Sequence, residues 1–368
     1  DLHLLSRRQR QMCIRDSLHI SGRNMQSVVI ENDGLEQISD SVCPPTVENR
    51  EQFLQAVRNS GSIGLGGAGF PTSLKLGFDP KEKQPDFLII NGAECEPYIT
   101  SDYRCFMEEG EDVLEGVLLM LKYLGIPKCV IGIEKNKPKA IEKMTRLCEK
   151  HDNITVKPLK SSYPQGAEKT LIFSTTGRVV KEGTLPIASG CIVVNSSTAA
   201  FIAQYIRTGM PLVKRRITVD GNIVKKPSNF IVPVGMSIGE IVYYAELSDK
   251  PDRIILGGPM MGACAFDPDY PLSKTNNAVL MFADSPVYEP SDCIRCGKCV
   301  KACSMNLLPT ELEHAFDMRD ARQLEKLKVN LCVNCGACSF VCPAKRNLAE
   351  KNQLAKAFLR ERSTRKGK

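Results

Sequence analysis

Two stretches decide the fold of the C-terminal part of this chain: CIRCGKCVKAC at residues 293–303 and CVNCGACSFVCP at residues 332–343. In both, four cysteines are separated by two, two and three residues. Together the stretches hold eight of the 16 cysteines in the chain. No secretory signal is evident in the sequence, so the repeated spacing indicates metal binding rather than disulfide bonds.

The spacing is typical of bacterial domains that hold two [4Fe-4S] clusters, in which the fourth cysteine of each repeat ligates the other cluster. This pattern assigns one cluster to Cys293, Cys296, Cys299 and Cys342, and the second cluster to Cys332, Cys335, Cys338 and Cys303. The alternative is a pair of zinc sites, which would need only two CxxC pairs for each four-ligand metal. The additional cysteines in each repeat favour iron–sulfur clusters, which carry single electrons.

Composition bounds the rest of the chain. Its 368 residues, 42% of them hydrophobic and 25% charged, predict a globular protein of two or three domains. The longest apolar stretch, residues 113–126, contains Glu115 and Lys122, so we expect no membrane-spanning helix. The net charge of +7 is concentrated after residue 340, which argues against a nucleic-acid-binding surface. This basic tail could bind an acidic partner or anionic lipid, or it could be a solvated chain end.

Short apolar runs alternate with helical patterns between residues 47 and 208, which predicts an α/β fold with a largely parallel sheet. The predicted strands are 86–91, 129–134, 154–159 and 191–195. After residue 211, short strands and a helix at 238–245 predict a small α+β unit, which ends near GGPMMG at 257–262. We expect a linker at 263–285. Residues 1–24 show no periodicity and are left unassigned, as a stretch that could be an artefact of the gene model.

A glycine-rich loop, GLGGAG at residues 64–69, matches the G-x-G-x-x-G pattern. A helical pattern precedes it, whereas a Rossmann loop must follow a strand. Its glycines could still bring backbone amides close to an anion or a flat ring, and Lys75 could neutralise a phosphate. A second loop carries Glu94 and Glu96 at the carboxyl end of a predicted strand, where α/β folds bind ligands. The alternatives are a structural turn and an exposed acidic turn.

Taken together, these motifs resemble the RnfC family, the NADH-side subunit of an ion-translocating ferredoxin:NAD oxidoreductase. The resemblance covers residues 25–350 and rests on GLGGAGFPTSLKLGF (64–78), NGAECEPYITSDYR (91–104), IGIEKNKPKAI (131–141), YPQGAEKTLI (163–172), TAAFIAQYI (198–206), GGPMMG and the cysteine repeats. The first loops also resemble the NADH-binding flavoprotein subunit of respiratory complex I. That similarity implies bound FMN and NADH on a non-Rossmann α/β domain.

The resemblance also implies the site residues. For FMN they are Gly64, Gly66, Gly67, Lys75, Asn91, Tyr163, Gly166, Asn195 and Thr198, and for NADH they are Phe70, Lys75, Phe78, Glu96 and Glu168. Glu96 and Lys75 would act in catalysis. Phe70 and Phe78 could stack on a nucleotide ring or pack in the core. Ala93, Ala167 and Val194 stand where complex I has two acids and an asparagine, so the flavin pocket would be less polar here.

The expected domains are therefore an FMN/NADH-binding domain at 25–210, a β-grasp-like (SLBB) domain at 211–262, a 2[4Fe-4S] ferredoxin-like domain at 286–348 and a basic tail at 349–368. The family implies a peripheral subunit on the cytoplasmic face of the bacterial membrane. Its partners would be NADH, membrane subunits that translocate ions and the iron–sulfur subunit RnfB. A barrel-like domain normally precedes the glycine loop, so we expect the chain to be N-terminally incomplete.

Two other functions fit the same sequence features. A cobalamin reductase of bacterial microcompartments shares the layout and would pass electrons to a corrinoid. An electron-wire or docking subunit would hold the clusters but bind neither FMN nor NADH. The substitutions at Ala93 and Ala167 favour the second alternative, whereas the glycine loop, Lys75 and Glu96 argue against it.

Overall fold

The computed structural model describes residues 11–18, 24–32 and 34–366. It begins with an antiparallel hairpin of β1 (Gln11–Leu18) and β2 (Asn24–Glu31), in which Gln11 lies opposite Glu31. The assignment of residues 1–24 as unstructured is therefore corrected for 11–18 and for residue 24. Residues 1–10 and 19–23 lie outside the described residues.

A four-stranded sheet forms the centre of the first domain. Its strands are β3 (Phe87–Gly92), β4 (Lys128–Glu134), β5 (Ile154–Leu159) and β6 (Cys191–Asn195). They run in the order β5–β4–β3–β6 and all pairs are parallel, which confirms the predicted sheet. The nearly continuous apolar runs in these strands are typical of a parallel sheet that is buried on both faces.

Six helices accompany this sheet: α1 (Arg50–Asn59), α2 (Thr72–Leu76), α3 (Ser101–Leu124), α4 (Pro138–Cys148), α5 (Glu168–Thr176) and α6 (Ser196–Thr208). Helices α1, α3, α4 and α6 pack on the face that carries Leu88 and Ile90. Helix α5 covers the opposite face, where Ile89 meets Leu171 and Ile172. The three layers leave the carboxyl ends of the strands open at one edge.

A second unit is built on the five-stranded mixed sheet β10–β9–β11–β7–β8. Its elements are β7 (Lys214–Asp220), β8 (Ser228–Pro233), α7 (Ile238–Ala245), β9 (Arg253–Leu256), β10 (Ala263–Ala265) and β11 (Ala278–Phe282). Helix α7 packs Ile238 and Ile241 against the sheet, as the α+β prediction requires. The expected linker at 263–285 is wrong, because β10 and the buried β11 lie within it. β11 is only five residues long and sits between β9 and β7.

The third unit contains the cysteine repeats. Its helices are α8 (Lys298–Ala302), α9 (Pro309–Asp317), α10 (Ala321–Lys326), α11 (Ala337–Phe340) and α12 (Leu348–Lys366). The interpretation of 349–368 as a solvated chain end is corrected by α12, because Ala355 and Leu359 are buried against Leu312 and Phe316. In the described part of the chain, every helix is too short or too polar to cross a bilayer.

Candidate flavin and iron–sulfur site

The glycine-rich loop is fixed by hydrogen bonds but presents its backbone to open space. The amide of Gly64 donates to the carbonyl of Phe70 at 2.9 Å, and the amide of Leu65 donates to Thr198 Oγ1 at 3.0 Å. A Cβ on Gly67 would meet nothing within 4 Å, and Gly67 has a φ of +106°, which favours glycine. The loop follows α1 and not a strand, as the non-Rossmann prediction requires.

Asn91 and Asn195 lie side by side where β3 and β6 end, since these residues are paired in register. The amide of Asn91 donates to the carbonyl of Gly166 at 3.0 Å. The Oδ1 atom of Asn195 caps α6 by accepting from the amides of Ser197 and Thr198. Rigid pairing of the strands therefore brings residues from four separated segments to one edge of the sheet.

Two glycines allow this close approach. A Cβ on Gly166 would lie 2.4 Å from the carbonyl oxygen of Ala93, and a Cβ on Gly66 would lie 3.2 Å from Asn195 Nδ2. The first distance is too short for any side chain at residue 166. The exposed backbone at Gly67 and these small residues leave the space that a flat ring and a phosphate need, so the predicted FMN residues fit that cofactor.

Lys75 and Glu168 form an ion pair across the open edge. Lys75 Nζ lies 2.9 Å from Glu168 Oε1 and donates to the carbonyl of Val193 at 3.1 Å. Both side chains are about one-third exposed, so an anionic ligand could approach the ammonium group. The two predicted residues are thus brought together, although they are 93 positions apart in the chain.

Glu96 connects three units of the protein. Its Oε2 atom accepts from the amide of Met260, in the GGPMMG turn, at 3.0 Å. Its Oε1 atom lies 3.4 Å from the hydroxyl of Tyr163, which donates to the carbonyl of Cys335. Burial raises the pKa of the Glu96 carboxyl, while the Met260 amide and Tyr163 oppose that rise. The predicted NADH residue, the predicted flavin residue and a cysteine loop therefore meet at one point.

A cleft of about 610 Å³ opens beside Glu96, at the carboxyl ends of β3, β4 and β5. Its lining includes Glu94, Cys95, Glu134 and Lys137. Glu134 is 2% exposed, and Lys137 Nζ lies 3.0 Å from its carboxylate. The interpretation of the sequence missed Cys95, Glu134 and Lys137. Because Glu134 is the last residue of β4 and Lys137 follows three residues later, the strand-end rule applied to β3 could have found both.

The two aromatic residues proposed for nucleotide stacking differ in position. Phe70 is 49% exposed beside the glycine loop, so its ring is available to a ligand. Phe78 is 9% exposed, belongs to the main core and has the guanidinium of Arg50 over its ring at 4.8 Å. The stacking role of Phe78 is therefore corrected to core packing, since a ring covered on this scale cannot receive a nucleotide.

The cysteines assigned to the second cluster surround one small cavity, which is lined by Cys303, Cys332, Cys335 and Cys338. The amide of Asn334 donates to Cys332 Sγ at 3.4 Å, and the amide of Leu307 donates to Cys303 Sγ at 3.4 Å. Helix α12 adds Lys356, which donates to the carbonyl of Cys332 at 2.9 Å. Four thiols around a common space, with amide donors to sulfur, fit a cubane cluster.

The first cluster's cysteines lie nearer to solvent. Cys299 and Cys342 are buried in one apolar cluster with Leu348, whereas Cys293 and Cys296 are exposed. Burial is the main cause of the raised pKa of Cys299, with smaller contributions from Cys342 and Cys293. These neighbours have the identities that the crossed ligand assignment requires.

The fold and the site together define a class: a flavin-binding α/β domain joined to a domain for two iron–sulfur clusters, suited to electron transfer. Residues 57–204 match the family model of the Nuo51 FMN-binding domain, and residues 292–346 match the 4Fe-4S dicluster domain. The chain therefore carries an FMN-binding domain and a [4Fe-4S] dicluster domain, as the sequence predicted.

Curated relatives identify the family. The chain is 39% identical to the RnfC-type component of the Na(+)-translocating ferredoxin:NAD(+) oxidoreductase complex of Acetobacterium woodii, over 82% of this chain and 69% of that protein. It is 38% identical to the corresponding protein of the proton-translocating complex of Clostridium ljungdahlii, over 86% and 70%. It is 36% identical to that of the ion-translocating oxidoreductase complex of Rhodobacter capsulatus, over 95% and 68%. The chain belongs to this RnfC family.

Solved structures support the fold. The NAD+-reducing [NiFe]-hydrogenase in its H2-reduced state matches with a TM-score of 0.59 and 20% identity, over 86% of this chain and 64% of that chain. The air-oxidized state gives 0.56 and 21%, over 86% and 54%. The chain thus spans less than two-thirds of those chains, and at this identity the likeness concerns architecture alone.

Proposed function

We propose that this chain passes electrons between NAD(H), FMN and two [4Fe-4S] clusters, as a subunit of an ion-translocating ferredoxin:NAD+ oxidoreductase complex. One contact carries the proposal. The hydroxyl of Tyr163, a predicted flavin residue, donates to the carbonyl of Cys335, a predicted cluster ligand. This contact means that the flavin site and the second cluster would be neighbours within a single chain.

In this proposal the amides of the glycine loop and Lys75 hold the FMN phosphate, while Asn91, Gly166, Asn195 and Thr198 orient the ring. Phe70, Glu96 and Glu168 face NADH. Bound FMN would supply the conversion between hydride transfer and single-electron steps. The chain's own residues would bind and orient both nucleotides and exclude water, and Glu168 would share the charge of Lys75 with the phosphate.

The names of the relatives support the proposed setting. They are subunits of complexes that translocate ions, so we propose that membrane subunits of the same complex carry the ions. The iron–sulfur subunit RnfB would exchange electrons with the clusters. The chain itself would be peripheral, on the cytoplasmic face of the bacterial membrane, where NADH is present.

The test is anaerobic reconstitution of the chain with FMN, iron and sulfide, followed by titration with NADH. We expect NADH to bleach the flavin absorbance. Glu96→Gln should weaken the apparent NADH affinity roughly tenfold, because hydrogen bonds to a charged group contribute about 1.5–3 kcal/mol. Glu142→Gln, an exposed substitution on α4, is the matched control. No bleaching at saturating NADH would contradict the proposal. Cluster signals without retained flavin would instead support an electron-wire subunit.

A further inference from the structure

The two cysteine loops have the same backbone but different side-chain charges. Arg295 and Asn334, which are equivalent in the two repeats, have φ values of 57° and 55°, and the following Gly297 and Gly336 have 72° and 77°. Each loop then enters a short helix, α8 or α11. Three positions that are basic in the first loop are uncharged in the second: Arg295, Lys298 and Lys301 correspond to Asn334, Ala337 and Phe340. Cluster geometry therefore does not require these cations.

The surroundings of the loops differ in the same sense. The second loop is covered, because a Cβ on Gly336 would lie 2.6 Å from the carbonyl of Met260 and Tyr163 bonds to Cys335. The first loop faces solvent, since a Cβ on Gly297 would meet nothing within 4 Å. Ile294, between two ligand positions of this loop, is 68% exposed.

The three cations contribute nothing evident to folding. All three side chains are exposed, and within the described part of the chain none of them has a hydrogen-bond or ion-pair partner. Lys298 and Lys301 lie three residues apart on α8, where like charges repel. Two acids on the preceding segment, Glu289 and Asp292, offset part of this charge.

A fourth cation extends this surface from the second repeat. Lys345 lies 4.3 Å from the centre of the Tyr288 ring, and the amide of Ser291 donates to the neighbouring carbonyl of Ala344 at 3.0 Å. The segment after Cys342 thus borders the first loop. We call the surface formed by Ile294, Arg295, Lys298, Lys301 and Lys345 the basic face.

We propose that the basic face is the docking surface for an electron-transfer protein, or protein domain, that has its own iron–sulfur cluster and presents carboxylates around it. This inference rests on the proposed function and specifies the partner that the first cluster would meet. Exposed cations around an apolar centre steer an acidic partner and release it quickly. One electron would leave the partner's reduced cluster, which is oxidised, and enter this chain, which is reduced. No covalent bond forms or breaks.

The test uses the full chain reconstituted anaerobically with iron and sulfide. It is mixed in a stopped-flow instrument with a reduced, acidic bacterial 2[4Fe-4S] ferredoxin, and the second-order rate constant is followed through the cluster absorbance at several ionic strengths. For the unaltered chain we expect a rate constant that falls steeply with salt. The triple variant Arg295→Gln/Lys298→Gln/Lys301→Gln should lower the low-salt value by roughly tenfold and flatten the salt dependence.

The matched control removes the same charge elsewhere on the domain. Arg322, Lys326 and Arg362 are exposed, and their triple Gln variant should change the low-salt rate constant by less than about twofold, since distant exposed charges are screened. The charge-retaining variant Arg295→Lys/Lys298→Arg/Lys301→Arg should keep the salt dependence. Should the Gln triple variant fail to load iron, Lys298→Gln/Lys301→Gln must still lower the rate constant.

Equal effects of the two triple variants, or none at the basic face, would overturn the proposal. Anionic phosphatidylglycerol vesicles test the other class of acidic partner. If the basic-face variant stops sedimenting with vesicles but keeps its rate constant with ferredoxin, the face binds lipid and the proposal fails. NADH is not used in this measurement, so a failure of NADH to bleach flavin would count against the proposed function and not against this surface.

Discussion

Glu94 combines contacts that stabilise a carboxylate with burial that opposes one. Its two carboxylate oxygens accept from the amides of Asp102 and Tyr103, at 2.7 and 3.1 Å, at the start of α3. A helix N-terminus favours negative charge, and Lys137 adds a nearby cation. Burial and the charge of Asp102 outweigh these effects and raise the pKa of Glu94 from 4.5 to about 7. A carboxyl group that titrates near neutrality thus lines the cleft.

Stability should therefore decrease with pH through this residue. Below pH 4.5 the group is protonated in both states, but between 4.5 and about 7 only the unfolded chain loses the proton. The free energy of unfolding should fall by roughly 3 kcal/mol across this window. Thermal unfolding under anaerobic conditions at pH 5 and pH 8 measures the effect. Glu94→Gln should reduce the pH dependence and Glu142→Gln should leave it unchanged. An identical decrease in all three proteins would show that Glu94 is not its source.

At the scale of elements, the contact between α3 and α6 depends on a single missing side chain. A Cβ on Gly116 would lie 2.0 Å from the carbonyl oxygen of Ala199, so the two helix backbones touch. At Gly110, in the same helix, a Cβ would meet the Lys143 and Leu147 side chains at 3.0 and 3.1 Å. Those flexible ends can move, whereas the α6 backbone cannot.

We expect Gly116→Ala to lower the free energy of unfolding by about 1–3 kcal/mol, the usual cost of overpacking. Gly110→Ala should stay within about 1 kcal/mol of the parent, because the gain in helix propensity offsets a small shift of Lys143. Urea denaturation followed by circular dichroism compares the two variants. Equal losses would mean that the helix tolerates no added methyl group anywhere, and the specific α3–α6 contact would not be the cause.

The elements also show what the sequence could predict. Strands β5, β6 and β9 and helix α7 have the predicted bounds, because their apolar patterns are local. Strand β11 escapes prediction because a five-residue apolar run gains its meaning only from pairing with β7 and β9, which are distant in the chain. Helix α12 resembles a solvated end in the sequence because its many cations hide the buried Ala355 and Leu359.

At the scale of the whole molecule, the same distinction separates the parts of the site. The cysteine ligands and the glycine loop are contiguous motifs, so spacing alone reveals them. Nothing local indicates that Glu96 accepts from Met260, 164 residues away, or that Tyr163 reaches Cys335, 172 residues away. Equally, the pattern around Phe78 could not distinguish a stacking ring from a core ring, because that depends on Arg50 and the surrounding core.

The junction between the units leads to a final prediction, for which the cysteine repeats supply the control. Ala at residue 336 or 297 would meet the same positive φ, 77° or 72°, at a cost of about 1–2 kcal/mol. Only at Gly336 would the new Cβ press on another unit, 2.6 Å from the carbonyl of Met260. Gly336→Ala should therefore displace the second cysteine loop from Tyr163, while Gly297→Ala should not.

In the reconstituted chain, we expect Gly336→Ala to slow the NADH-driven reduction of the clusters by roughly tenfold, since small displacements of reacting groups are costly. The bleaching of flavin by NADH should keep its rate. Stopped-flow absorbance separates the two signals, and the iron content of each variant shows whether the clusters assemble. Equal slowing in Gly297→Ala would indicate that loop strain is responsible. Unchanged cluster reduction in Gly336→Ala would mean that electrons do not pass between the units at the Tyr163–Cys335 contact.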